Sequence, residues 1–223
     1  MRVGVLFSGG KDSCRTVHWC LNQGYDVSYL VTIISARPDS WMFHVPNIHL
    51  TSIMAKAIGV PLITQDSSGI KEVEVNDLKT ALNNLDIDAV ACGGLFSNYQ
   101  RKRIEKVCNE INLQCIVPFW HTDPEQFMRD TIELGFHVII TGVYAMGFNR
   151  NWLGRKLDYN TLEDLIKIRD KYQINLVFEG GEAETTVLDG PIFKKRIEII
   201  ESEVIWEGSG GYLNITQAAL RDK

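Results

Sequence analysis

The chain opens Met1-Arg2-Val3-Gly4-Val5-Leu6-Phe7-Ser8-Gly9-Gly10-Lys11-Asp12-Ser13. An apolar run of strand length passes directly into small residues and then into an amphipathic stretch, the order strand, tight loop, helix. Small residues behind a parallel strand let backbone N–H groups and the next helix N-terminus point at an anion. This is not a Walker P-loop, because Val5 stands where that pattern needs its first glycine and Asp12 where it needs Ser or Thr. Asp12 is the discriminating residue. A carboxylate in an anion site repels phosphate unless a divalent cation lies between them, so Asp12 points to a Mg²⁺-bridged polyphosphate. A plainer alternative stays open here: Ser8-Gly9-Gly10 is a turn, and Asp12 or Ser13 caps a helix.

Working outward, short apolar runs alternate with amphipathic stretches, the pattern of a parallel sheet covered by helices on both faces. Strands are expected at Arg2 to Phe7, Val27 to Ile34, Pro61 to Gln65, Ala89 to Gly93 and Cys115 to Pro118. Between them, His49 to Ile58 has helical spacing and stops at Gly59, a second helix covers Val73 to Leu85, and a third starts near Ser97. After Pro118 the texture changes. Asp123-Pro124-Glu125-Gln126 combines an N-cap, a proline at the first helical position and a capping-box residue, and Gly135 ends that helix. Phe136 to Tyr144 is expected to be a buried strand, Leu162 to Tyr172 a helix and Leu176 to Phe178 a strand. Glu198 to Trp206 with Tyr212 to Ile215 form a terminal hairpin. The expected organisation is a doubly wound unit over residues 1–117 and a smaller C-terminal α/β substrate domain over 118–223.

The charge is 23 Lys and Arg against 28 Asp and Glu, a net −5, which argues against stable nucleic-acid binding. The five cysteines are an odd number and never fall as C-x-x-C, so neither a disulfide framework nor a four-thiolate metal site is indicated. No stretch approaches the ~18 uninterrupted apolar residues of a membrane span, and Lys11 and Asp12 come too early for a signal peptide. A soluble, cytoplasmic protein is expected.

Three more stretches sit at the carboxyl ends of expected strands, where open α/β sheets collect ligands. They are Ser40-Trp41-Met42-Phe43-His44, Gly93-Gly94-Leu95-Phe96-Ser97-Asn98-Tyr99-Gln100-Arg101-Lys102-Arg103-Ile104-Glu105, and Glu179-Gly180-Gly181-Glu182-Ala183-Glu184-Thr185-Thr186. The opening hexapeptide Ser8 to Ser13 resembles the PP-loop of N-type ATP pyrophosphatases. All four motifs in this order, followed by Asp189-Gly190-Pro191-Ile192-Phe193, resemble the diphthine-ammonia ligase family, in its short archaeal form.

That resemblance implies a Rossmann-like, HUP-type sheet and AMP-forming ligase chemistry with ATP and Mg²⁺. The expected substrates are ammonia and translation elongation factor 2 bearing diphthine, whose carboxylate becomes the amide through an acyl-adenylate. It further implies that Ser8, Gly9, Gly10, Lys11, Asp12 and Ser13 hold pyrophosphate, with Asp12 as metal ligand and Lys11 beside it in catalysis. Ser35, Ser40, His44 and Gly94 are expected on the nucleotide side. Ser97, Tyr99, Gln100, Arg101 and Arg103 form a strand-to-helix junction where donors meet a phosphate or the substrate carboxylate; a solvated basic helix start is the alternative.

Glu179, Glu182 and Glu184, with Gly180 and Gly181 between them and Thr185 beyond, form the most unusual cluster. Gathered carboxylates suit a trimethylammonium group, a metal, or proton removal from ammonium. Glu182 is the first choice for substrate contact or general base, with Glu184 as its partner. His18 and His137 are read as structural, and Trp152 in its polar loop as a partner contact. No Cys-His pairing of a glutaminase is seen, so free ammonia is the expected nitrogen source. Two rivals remain: a PP-loop tRNA-modifying enzyme, disfavoured by the charge and the cysteines, and a non-catalytic adenine-nucleotide binder, which would not need the Glu cluster. A homo-oligomer is left open.

Overall fold

The computed structural model describes residues 1–37, 46–70, 72–95 and 97–223. Its first layer is a five-stranded parallel sheet of β1 (Arg2–Leu6), β2 (Asp26–Ser35), β3 (Leu62–Ser67), β4 (Ala89–Ala91) and β5 (Gln114–Ile116), in the order β3-β2-β1-β4-β5. Its helices are α1 (Lys11–Asn22), α2 (Thr51–Ile58), α3 (Val73–Leu82) and α4 (Asn98–Glu110). The pleat divides the apolar runs between two faces. Val3, Val5, Ala89 and Ala91 pack with Cys14 and Val17 of α1 and Met54 of α2, whereas Val31, Ile33 and Val90 pack with Leu78 of α3 and Val107 of α4. Each such Val or Leu contributes about 1.5–3 kcal/mol by leaving water, which is why both helix layers stay docked.

The second layer is antiparallel. It comprises β6 (His137–Val143), β7 (Ala183–Asp189), β8 (Arg196–Glu207) and β9 (Gly210–Arg221), ordered β7-β6-β9-β8, with α5 (Pro124–Glu133) and α6 (Tyr159–Tyr172). The expected cap is present: the Asp123 carboxylate accepts the Gln126 N–H at 2.8 Å, Pro124 opens α5, and Gly135 follows it at φ +79. The terminal hairpin is longer than expected and turns at Gly208, φ +58.

Leu176 to Phe178 is not a strand. It is buried as an apolar run should be, but the Asn175 side chain accepts the Val177 N–H at 2.9 Å and Phe178 has φ +67, so the segment is a turn. The strand expected there is instead β7, which begins within the third motif. The Glu-rich stretch therefore precedes a strand rather than following one.

One apolar core continues from the first layer into the second, from Val5 and Met54 to Phe127, Ile140 and Val187. Polar stitches fix the register between the layers. The Val187 N–H donates to the Gly9 carbonyl at 3.0 Å, the Lys11 N–H to Thr185 Oγ1 at 3.2 Å, and the Lys194 N–H to the Ala57 carbonyl at the end of α2 at 2.7 Å. The buried Arg15 of α1 donates to the Phe127 carbonyl at 3.2 Å and to Thr131 Oγ1 at 2.7 Å, joining α1 to α5. Among the described residues, no helix is long and apolar enough to cross a membrane.

Candidate active site

In the order β3-β2-β1-β4-β5 the chain winds outward from β1 through β2 to β3, then returns to β4 on β1's other side. The loops leaving β1 and β4 diverge at that switch point and leave a crevice. A cavity of about 660 Å³ occupies it. Apolar Leu6, Val31 and Ile33 line it together with polar Ser8, Asp12, Ser13 and Glu184. This volume is that of a small-molecule or nucleotide site.

The loop after β1 is held open by its glycines. Gly9 has φ +79, and a Cβ there would lie 2.5 Å from Met54 Sδ. Gly10 is the N-cap of α1, with the backbone and hydroxyl of Thr185 against it. The Ser8 N–H donates to Ser13 Oγ at 3.3 Å, and the Ser13 hydroxyl donates to the Gly10 carbonyl at 3.0 Å, which closes the loop on itself. The loop after β4 is pressed on the first one: a Cβ on Gly93 would lie 2.7 Å from the Asp12 backbone. α4 then starts at Ser97, whose hydroxyl accepts the Gln100 N–H at 3.4 Å. The N-termini of α1 and α4, each a patch of positive potential, thus border one cavity.

Asp12 carries the electrostatics. Its Oδ2 accepts from Lys11 Nζ at 3.0 Å, while its Oδ1 is buried with no hydrogen-bond partner. Burial raises its pKa against the lowering effect of the Lys11 charge. The Glu184 carboxyl is pushed up to about 7, first by burial and then by the Asp12 charge, with Lys11 opposing. An orphaned carboxylate oxygen beside a second acid fits a divalent cation. Among the described residues no cluster of three or more His, Cys, Asp or Glu could hold a metal. A cation here would therefore complete its shell with phosphate oxygens and water, as Mg²⁺ commonly does.

Of the expected residues, Ser8, Asp12, Ser13, Gly94, Ser97, Tyr99, Gln100, Arg101, Glu179, Gly180, Gly181 and Glu184 all line this cavity. Others stand apart. Lys11 is 2% exposed; its ammonium donates to the Val177 carbonyl at 2.7 Å and to Asp12, bracing the second layer. Glu182 accepts the N–H groups of Asn175 at 2.8 Å and Gly180 at 2.9 Å, so its carboxylate staples the turn and does not line the cavity. Thr185 is spent on the Lys11 N–H, and Ser35 closes a turn with Arg37. Arg103 pairs with Glu72 and stacks on Tyr99 at 3.5 Å. Trp152 is buried against Phe148, not offered to a partner. Ser40 and His44 lie outside the described residues.

Glu179 acquires a definite place: its Oε1 accepts the Leu95 N–H at 2.6 Å, tying the Glu-rich turn to the loop after β4. Val177 and Phe178 on the cavity wall were not anticipated as site residues. Their signal in the sequence was only apolar, and a strand explained it.

The profile described as diphthamide synthase N-terminal domain matches residues 1–115, and that described as diphthamide synthase C-terminal domain matches 123–220. The human protein named diphthine-ammonia ligase is 32% identical over 252 residues, spanning 100% of this chain and 94% of its own. The fission-yeast (Schizosaccharomyces pombe) protein of that name is also 32% identical, over 248 residues; the alignment takes in 100% of this chain but only 40% of the yeast protein. Among solved structures, a predicted subunit of tRNA methyltransferase from Methanocaldococcus jannaschii aligns at 20% identity and TM-score 0.49, covering 86% of this chain and 98% of that one. With both family profiles matched across the two layers and their junction forming the cavity, the chain belongs to the diphthamide synthase family.

Proposed function

We propose that this chain is a diphthine-ammonia ligase, converting the diphthine carboxylate of translation elongation factor 2 to the amide with ATP and ammonia. The acceptor carboxylate attacks the α-phosphorus, pyrophosphate leaves, and the carboxyl carbon becomes a mixed anhydride with AMP. Ammonia then adds to that carbon, loses a proton, and AMP departs with one former carboxylate oxygen. Activation is needed because a bare carboxylate would have to expel oxide.

The observation that carries this reading is the meeting of three loops in one cavity: Ser8 to Ser13, Gly93 to Arg101, and Glu179 to Glu184. The first cradles pyrophosphate with backbone N–H groups at the start of α1, and the apolar lining of Leu6, Val31 and Ile33 receives the adenosine. Asp12 would hold Mg²⁺, which when bound neutralises the polyphosphate charge. Ser97, Gln100 and Arg101 at the start of α4 orient the anionic acceptor. Glu184, held near neutral pH by its surroundings, takes the proton from the attacking nitrogen. The role first given to Glu182 thus passes to Glu184, because Glu182 has both oxygens committed to backbone amides. Residues 1–117 supply the nucleotide site and, through the start of α4, part of the acceptor site, which 118–223 completes, in a protein that works where the elongation factor does, the cytoplasm.

An oxygen-label experiment tests the mechanism. With ¹⁸O in the acceptor carboxylate, AMP should carry one ¹⁸O and pyrophosphate none. Label in inorganic phosphate, with ADP as the other product, would replace the adenylate by an acyl phosphate.

A further inference from the structure

Across the second sheet, Glu184 of β7, Gly142 of β6 and Tyr212 of β9 are register partners, so they form one row on one face. Gly142 contributes no side chain to that row. The ring of Tyr144, two residues on and therefore on the same face, folds back into the space: a Cβ on Gly142 would lie 2.9 Å from the Tyr144 hydroxyl and 3.1 Å from Glu184 Cβ. Tyr144 also lies along β9, 3.2 Å from where a Gly210 Cβ would be, and its N–H donates to the Glu182 carbonyl at 2.9 Å. It nevertheless remains 45% exposed. Burial raises its phenol first, and the Glu184 and Tyr212 charges add to this. Neither Tyr144 nor Tyr212 lines the cavity itself, and both lie along the sheet row of Glu184, which does.

We propose that Tyr144, with Tyr212 beside it, is the platform that receives the trimethylammonium group of the acceptor and selects the fully methylated side chain. This rests on the ligase reading above. In diphthine the carboxylate and the quaternary nitrogen are carried by the same carbon. A carboxylate aligned at the α-phosphate therefore places the cation within a few bonds of the part of the cavity that Asp12 and Glu184 line. A quaternary ammonium has no N–H to donate, so it cannot be recognised by hydrogen bonds. An aromatic face beside anionic carboxylates is the environment that discriminates it from a primary ammonium. Tyr144 supplies the face and Glu184 the charge, while Gly142 leaves the room for both.

The test is acceptor-dependent AMP formation by the full chain with diphthine-bearing elongation factor 2. Tyr144→Ala and Tyr144→Leu should each raise the KM for the acceptor about 5- to 30-fold, the worth of a cation–π contact. Tyr144→Phe, which keeps the ring, should stay within about twofold of the parent, and the KM for ATP should not move in any of the three. Tetramethylammonium chloride should compete with the acceptor against the parent and Tyr144→Phe, and not against Tyr144→Ala. An unchanged acceptor KM in the Ala and Leu variants, or Phe as impaired as Ala, overturns the platform while leaving the ligase reading intact. A parent protein that forms no AMP with this acceptor overturns both.

Discussion

Gly93→Ala is the perturbation that most directly probes how the loops after β1 and β4 are held together. The new Cβ would sit 2.7 Å from both the carbonyl carbon and the oxygen of Asp12, and 2.9 Å from its Cβ. The first two are backbone atoms at the first turn of α1 and the Cβ moves only with them, so no side-chain rotation relieves the clash. To reach an ordinary 3.4 Å contact, either the Asp12 backbone or the loop after β4 must retreat by about 0.7 Å. Overpacking of this kind costs about 1–3 kcal/mol, which for a chain of this size lowers Tm by about 2–12 °C. Displacing a positioned group by about an ångström costs up to about 100-fold in rate, so kcat/KM for AMP formation should fall about 10- to 100-fold. Gly94→Ala is the control: nothing lies within 4 Å of its Cβ position, and Tm should stay within about 2 °C of the parent. Calorimetric Tm and a coupled pyrophosphate assay read both effects. A Gly93→Ala protein with parental Tm and parental turnover would refute the close approach of the two loops.

Three other substitutions separate the roles of the acids. Asp12→Asn should lower AMP formation at least about 100-fold while far-UV circular dichroism stays parental; retained turnover would remove Asp12 from the pyrophosphate site. Glu182→Ala deprives the Asn175 and Gly180 amides of their acceptor; it should destabilise by about 1–3 kcal/mol, seen in urea unfolding, with Glu182→Gln losing less. Unchanged stability would contradict the staple. For Glu184, whose folded pKa of about 7 lies above its unfolded value, the folded state holds a proton that the unfolded chain releases. Stability contributed by this group is therefore present at low pH and lost as pH rises toward and through 7. Glu184→Gln should melt above the ligand-free parent at pH 8 and close to it at pH 5. Activity should move the opposite way in the parent, rising through pH 7 as the base ionises. Melting curves of the two proteins that stay parallel across this range would refute it.

The first sheet could be read from residue pattern because its information is local. Alternating Val3, Val5 and Gly4, the cap at Asp123 to Gln126, and Gly59 at φ +83 each state their own conformation. The cavity was legible through the motifs: Ser8 to Ser13, Gly93 to Glu105 and Glu179 to Thr186 each contribute to its lining, and the stretch at Ser40 to His44 lies outside the described residues. What could not be read was which polar groups the fold consumes. Lys11 looked like a phosphate ligand, yet it braces the Val177 carbonyl 166 positions away. Glu182 and Glu184 are two residues apart in one acidic run. Only the turn at Phe178 and the start of β7 decide that one faces backbone amides and the other the cavity. Thr185, Thr186 and Val187 carried a β-branched strand signal, but the neighbouring Leu176 to Phe178 offered a competing one. Burial alone does not choose between a strand and a turn.

The most direct measurement is product analysis with purified chain, Mg-ATP, ammonium and diphthine-bearing elongation factor 2, omitting factor and ammonium in turn. The account predicts AMP and pyrophosphate only when the factor is present, amide on the factor only when ammonium is also present, and neither product with the Asp12→Asn protein. AMP formed with tRNA and not with the factor, or ADP in place of AMP, would contradict it.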